Sequence, residues 1–116
     1  MISDKLKTKL LEFRAEREWE QFHNLRTLST SIALEAAELA EFTQWARDDQ
    51  ILDITREKKM DIAREIADIV ILVSYLVHDM GIDLEKAVAD KLELNGQHYP
   101  VEKARGSAKK YDQFDF

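Results

Sequence analysis

Residues Ser31–Ala46, SIALEAAELAEFTQWA, and Ile62–Val77, IAREIADIVILVSYLV, constrain this chain more than any other part of it. Both lack Gly and Pro and place apolar residues three and four apart, the spacing of a helix with one buried face. At about 100° per residue, Leu28, Ile32, Leu39, Phe42 and Ala46 share one face of the first helix. Glu35 falls in the middle of that face, and Glu38 sits at its edge beside Trp45. The second helix is apolar over most of its circumference, with Ile62, Ile69, Leu72 and Leu76 on its most apolar line. Glu65 falls among them, and Asp68 sits at the edge. A carboxylate inside an apolar stripe needs a compensating charge, because an unpaired buried ion is very costly. The simplest arrangement has the two helices facing each other, with four carboxylates converging on a divalent cation.

The rest of the composition fits a small helical protein. With 116 residues the chain is long enough for one domain with its own core. Three Gly and one Pro leave out the breakers that punctuate an all-β fold. A formal net charge of −6 argues against non-specific binding to a nucleic-acid polymer or an anionic membrane. No Cys is present, which excludes disulfides, thiolate ligands and a thiol nucleophile. No signal peptide is expected, since Asp4, Lys5 and Lys7 interrupt any early apolar run, and Ile69–Val73 is far too short to span a bilayer. The expected location is cytoplasmic.

Four helices are expected. The first covers 3–21, with Ser3 as cap and Leu6, Leu10, Phe13 and Arg17 along one line. A short turn over Phe22–Thr27 leads to the second helix, Leu28 to about Arg47. Asp53 or Thr55 caps a third that runs to about Met80, closed by Gly81. Asp83 caps a fourth, Leu84 to about His98, and Pro100 ends regular structure. The expectation is therefore an all-α four-helix bundle forming a single domain over 1–116, with a C-terminal tail over 100–116. The third helix carries more apolar surface than so short a chain can cover, which points to a homodimer or a larger assembly.

The motif Glu35-x-x-Glu38 is followed by Glu65-x-x-Asp68, and all four side chains offer hard oxygens. Such a set favours Mg²⁺, or Mn²⁺, over zinc, and lacks the Glu-x-x-His pairs of a di-iron bundle. Magnesium keeps waters and commonly binds substrate phosphates, so the patch points to phosphoryl chemistry. Glu41, one turn beyond Glu38, is placed to orient or deprotonate an attacking water. Trp19 and Trp45 are candidates to stack on a base. Lys91 and Asn95 lie one turn apart on the fourth helix, and the tail adds Lys103, Arg105, Lys109 and Lys110 as phosphate contacts. His23 is assigned to the turn.

The bland reading of each feature stands beside these. A Glu on an apolar face commonly pairs with a cation, and Arg17 and Lys58 are available for Glu35 and Glu65. Each Trp could be ordinary core, and the basic residues a solvated surface.

With those residues in view, the chain resembles the MazG-like all-α nucleotide pyrophosphohydrolases, and within them the dCTP pyrophosphatase branch. The likeness rests on Glu16-Arg17-Glu18-Trp19-Glu20-Gln21-Phe22-His23, Glu35-Ala-Ala-Glu38-Leu-Ala-Glu41, Gln44-Trp45, Glu65-Ile-Ala-Asp68, Lys91, Asn95, Tyr99-Pro100 and Lys109-Lys110-Tyr111. It implies cleavage of a (deoxy)nucleoside triphosphate between the α and β phosphates, giving monophosphate and pyrophosphate. It implies that Glu35, Glu38, Glu65 and Asp68 bind magnesium, that Glu35, Glu38 and Glu41 serve catalysis, and that Trp19 and Trp45 contribute to the base pocket. Lys91, Asn95, Lys109, Lys110 and Tyr111 would contact phosphate or sugar, and the assembly would be a homotetramer of tight dimers. The role implied is nucleotide-pool sanitisation. Two positions depart from the animal branch: Leu10 replaces a His, and Leu72 replaces a Tyr. Both losses imply a broader substrate range with a dCTP preference.

Two further readings remain open at this point. One is a non-catalytic helical binding or assembly module, in which Glu35 and Glu65 pair with Arg17 or Lys58. The other is the same fold acting on a different pyrophosphate substrate, such as dUTP or phosphoribosyl-ATP.

Overall fold

Ser3 begins the first helix by accepting the Leu6 amide at 3.1 Å, and α1 runs over Asp4–Glu16 in the computed structural model, which describes residues 2–114. The helix stops well short of residue 21. Glu18 adopts the left-handed conformation (φ 55°) and turns the chain into a 3-10 helix over Trp19–Phe22. Trp19 therefore stands on a separate turn rather than at the end of α1. A left-handed Glu carries a steric cost that Gly would avoid, so nothing in the residue types marks this bend.

The second helix, α2, spans Leu25–Glu41 and starts three residues earlier than expected. Asn24 and Thr27 form a reciprocal capping box: each side chain accepts the other's backbone N–H at 3.0 Å. The helix ends at Glu41, so Gln44 and Trp45 lie in the turn that follows rather than on the helix. A 3-10 turn over Asp48–Gln50 leads to α3, Ile51–Glu57.

The expected third helix is broken at Lys58 (φ −98°, ψ 15°) into α3 and α4, Lys59–Asp79. Asp53 and Thr55 do not cap it. Both lie inside α3, where Thr55 Oγ1 donates back to the Ile51 carbonyl at 2.7 Å. Gly81 closes α4 in the left-handed region (φ +63°), as the sequence predicts. Asp83 caps α5, Leu84–His98, by accepting the Lys86 amide at 3.1 Å. Pro100 does not end regular structure. It precedes a single turn, α6, over Val101–Ala104, and a 3-10 turn follows at Tyr111–Gln113. The last two residues of the expected tail lie outside the described residues.

The secondary structure is thus all-α among the described residues, and the four longest helices are the four expected ones. The chain falls into two compact units, Met1–Gly81 and Ile82–Phe116. In the first, α2 packs along α4, and α1 and α3 lie against α4 as well. Among the described residues Leu28 and Tyr75 are its buried apolar side chains, and the buried Arg14 lies over the Tyr75 ring. In the second, the Tyr111 ring stacks on His98 at 4.3 Å and meets the edge of Tyr99 at 6.0 Å, which turns the tail back on the end of α5. No described helix is long and apolar enough to cross a membrane.

Candidate functional site

Packing α2 along α4 brings together the acidic residues that interrupt the two apolar faces. Glu35, Glu38 and Glu65 each place one carboxylate oxygen within 4.8 Å of the others. Glu35 and Glu65 are half-buried and Glu38 is exposed. The Oε2 atoms of Glu35 and Glu65 are buried with no hydrogen-bond partner among the described residues. Such orphaned oxygens are rare unless a cation or a proton compensates them. The neighbouring Glu65 carboxyl is the largest influence pushing Glu35 above the usual carboxylate range. Desolvation and the Asp68 charge act in the same direction, while the close approach of Glu38 opposes them. Among the described residues the ion pairs are Arg14–Asp79, Arg17–Glu16, Arg47–Asp49, Arg64–Asp61 and Lys86–Asp90, and none involves the cluster. A set of hard carboxylate oxygens without a protein counter-ion can hold a metal ion.

Asp68, expected as the fourth ligand, stands one turn beyond Glu65 and outside the close trio. It lines an adjoining cavity together with Glu35. Glu41 is exposed and shares a hollow of about 400 Å³ with Glu38, Phe42 and Glu65. The carboxylates thus open on two sides, with Glu35 and Asp68 on one and Glu38, Glu41 and Glu65 on the other.

The cavity beside Glu35 and Asp68 has a volume of about 500 Å³. Phe13, Trp19, His23 and Tyr75 supply aromatic walls, with Leu10, Ile71, Leu72 and the Lys9 side chain. Trp19 meets Phe13 edge-on at 5.8 Å, so its indole is held in place. Trp45 is 89% exposed and does not line this cavity. The two positions that depart from the resemblance, Leu10 and Leu72, both face into it.

Sequence reasoning passed over the polar group behind this wall. The buried guanidinium is Arg14, not Arg17, and it grips both carboxylate oxygens of Asp79, with Nη1 to Oδ2 at 2.9 Å. Nη1 also lies 3.1 Å from His23 Nδ1. Arg14 rests over the Tyr75 ring at 4.7 Å, and the Tyr75 hydroxyl donates to the Leu10 carbonyl at 2.9 Å. The Arg14 hydrogen bond, with the Arg14 charge, holds the Asp79 carboxyl below the ordinary range against the opposing effect of burial. Arg17 instead donates to the Phe13 carbonyl at 2.8 Å and sits over the Phe13 ring. Helical spacing held a signal: Tyr75 is seven residues beyond Asp68 and Asp79 four beyond Tyr75, all on one line of α4.

The remaining expected residues belong to the second unit. Lys91 and Asn95 share a hollow on α5 with Ala87, Val88 and Leu92. The Lys109 amide donates to Ser107 Oγ at 3.2 Å and the Lys110 amide to Gln113 Oε1 at 3.3 Å, while Tyr111 is the ring stacked on His98.

A helical fold whose paired acidic helices meet beside an aromatic cavity defines a class of small all-α proteins built around a carboxylate cluster. The chain belongs to the MazG-like family, whose model matches residues 30–114. It is 41% identical over 102 residues to a rat (Rattus norvegicus) protein named dCTP pyrophosphatase 1, covering 86% of this chain and 60% of that one. The human (Homo sapiens) protein of the same name is 36% identical over 104 residues, covering 88% and 61%. The chain thus spans about 60% of the length of these curated relatives. A crystal structure of a pyrophosphatase from Archaeoglobus fulgidus DSM 4304 superposes with a TM-score of 0.80 at 36% identity, covering 84% of this chain and 91% of that one.

Proposed function

We propose that this chain is a magnesium-dependent nucleoside triphosphate pyrophosphohydrolase that prefers dCTP and releases dCMP and pyrophosphate. The observation that carries the reading is the Glu35–Glu38–Glu65 cluster, with two buried oxygens unpartnered among the described residues, whose Glu35 also lines an aromatic cavity. The names of the relatives and of the superposing structure point the same way.

In this reading Trp19 and the neighbouring rings hold the base, which directs the phosphates toward the carboxylates. Glu35, Glu38, Glu65 and Asp68 would hold Mg²⁺ (or Mn²⁺), which when bound neutralises phosphate charge and favours attack on phosphorus. Glu41, facing the hollow on the far side with Glu38, orients the attacking water and takes its proton. Leu10 and Leu72 replace hydrogen-bonding side chains with apolar ones at the base, which widens the accepted range beyond dCTP. Trp45, Lys91, Asn95, Lys109, Lys110 and Tyr111 remain proposed substrate contacts.

The working form is a homodimer or homotetramer. Leu34 is 60% exposed, Ile66 48% and Met60 70%, and Leu6, Ala63, Ile66 and Val70 border an apolar groove between α1 and α4. Apolar surface on this scale is characteristic of an interface between subunits.

The alternative, a non-catalytic assembly module, requires Arg17 or Lys58 to neutralise Glu35 and Glu65. No such pair exists among the described residues. Incubation of the protein with Mg²⁺ and each common nucleoside triphosphate, with products resolved by chromatography, tests the proposal. Pyrophosphate and monophosphate are expected, most rapidly from dCTP; no product from any of them rejects it.

A further inference from the structure

The geometry of the Arg14–Asp79 pair behind the aromatic cavity fixes the chemistry of one cavity wall. A guanidinium has only N–H groups to offer. The contact between Arg14 Nη1 and His23 Nδ1 at 3.1 Å therefore requires Nδ1 to be the acceptor. An imidazole that accepts at Nδ1 is neutral and carries its proton on Nε2. Asp79 holds Arg14 through both carboxylate oxygens, so the guanidinium cannot swing away from the ring. The ring is steadied on another side by Tyr75, with centroids 5.4 Å apart, and Tyr75 is itself anchored to the Leu10 carbonyl. Among the described residues His23 Nε2 has no hydrogen-bond partner and is not one of the buried orphan atoms, so it remains accessible on a residue that lines the cavity.

We propose that Asp79 and Arg14 are positioning residues that lock His23 as the neutral Nε2–H tautomer, so that it offers the cavity a fixed N–H donor to a carbonyl oxygen or unprotonated ring nitrogen on the nucleobase edge. This rests on the nucleotide reading above and deepens it. The acceptor on the base is matched by a donor whose direction is set before binding, so little ordering remains to be done on association. Desolvation first, and the Arg14 charge second, hold His23 below its ordinary range, consistent with a neutral ring. With Leu10 and Leu72 offering no hydrogen bond, His23 is a polar edge against which bases can be told apart.

Long-range ¹H–¹⁵N NMR of the histidine ring nitrogens, in the nucleotide-free protein at pH 7, tests the lock directly. The expected spectrum shows a protonated Nε2 and an unprotonated Nδ1 for His23. Asp79→Asn should move it toward a mixture of tautomers. In steady-state kinetics with dCTP, His23→Leu should raise KM roughly 3- to 10-fold, the value of one hydrogen bond, with kcat changed less. His23→Gln, which keeps an N–H near the same place, should recover part of that loss. A ring protonated on Nδ1, a charged ring at pH 7, or a wild-type KM in His23→Leu overturns this inference. A chain with the locked tautomer that hydrolyses no nucleotide overturns the pyrophosphohydrolase reading instead. Should Asp79→Asn fail to fold, the wild-type spectrum and the His23 variants decide the matter.

Discussion

Glu35 on α2 and Glu65 on α4 face each other across the contact between the two helices, each with its Oε2 atom buried and unpartnered. Two like charges held this way repel when both are ionised, and a proton or a cation between them relieves the repulsion. The pairing therefore predicts how stability answers to pH and to metal. Glu35 has a raised folded-state value, so its contribution is full below the unfolded carboxylate range, about 4.3, and is lost as pH rises through the folded value. A divalent cation held there would act in the opposite sense, because it would compete with the proton for the same oxygens. Differential scanning fluorimetry should show Mg²⁺ raising Tm by several degrees at saturating concentration, with a larger rise at pH 7.5 than at pH 5. An equal rise at both pH values, or none, contradicts this.

Asp79 has the reverse sign. Its folded-state value is lowered chiefly by the Arg14 hydrogen bond, so its contribution is present above the ordinary value of about 3.9 and is lost as pH falls through the folded one. Asp79→Asn leaves the buried Arg14 without a counter-charge and should cost about 1–3 kcal/mol at pH 7 in urea unfolding. Below pH 4 the gap between wild type and variant should narrow. A constant gap down to pH 2 would exclude the assigned role.

Trp19 should report the bound base. Trp19→Ala removes an aromatic wall of the cavity and should raise KM for dCTP by about 5- to 150-fold, the range of one base stack at about 1–3 kcal/mol. Nucleotide binding should also quench Trp19 fluorescence in a Trp45→Phe background. Unchanged KM in Trp19→Ala, with the fold intact, removes the cavity from the account.

Assembly is open to a direct measurement. Sedimentation should give a dimer or tetramer, and Leu34→Glu with Ile66→Glu should shift it toward monomer, since both side chains are exposed apolar groups on α2 and α4. A monomeric wild-type chain at micromolar concentration would contradict the expectation.

Much of this was readable in the residues, for identifiable reasons. Glu35 and Glu65 stood out because a 3.6-residue period makes a charge in an apolar line conspicuous. Ser3, Gly81 and Asp83 marked helix ends through chemistry specific to those residue types. The early end of α1 was hidden because Glu18, rather than Gly or Asn, takes the left-handed turn. The break at Lys58 is hidden for the same reason, as neither Pro nor Gly accompanies it. The start of α2 is marked less plainly, because Asn24-x-x-Thr27 is a capping box with Thr in place of the usual Glu. The Arg14–Asp79 pair joins residues 65 positions apart, and only packing of α1 on α4 brings them together.

The most direct test of the central claim follows products, not stability. Wild-type protein with dCTP and Mg²⁺, monitored by ³¹P NMR, should yield dCMP and pyrophosphate and no dCDP. Glu35→Gln, with its fold checked by circular dichroism, should be slower by roughly 10²–10³-fold, the scale for losing one charge-stabilising group at a reacting centre. Release of orthophosphate with dCDP, or full activity in Glu35→Gln, would contradict the assignment of the acidic cluster to this chemistry.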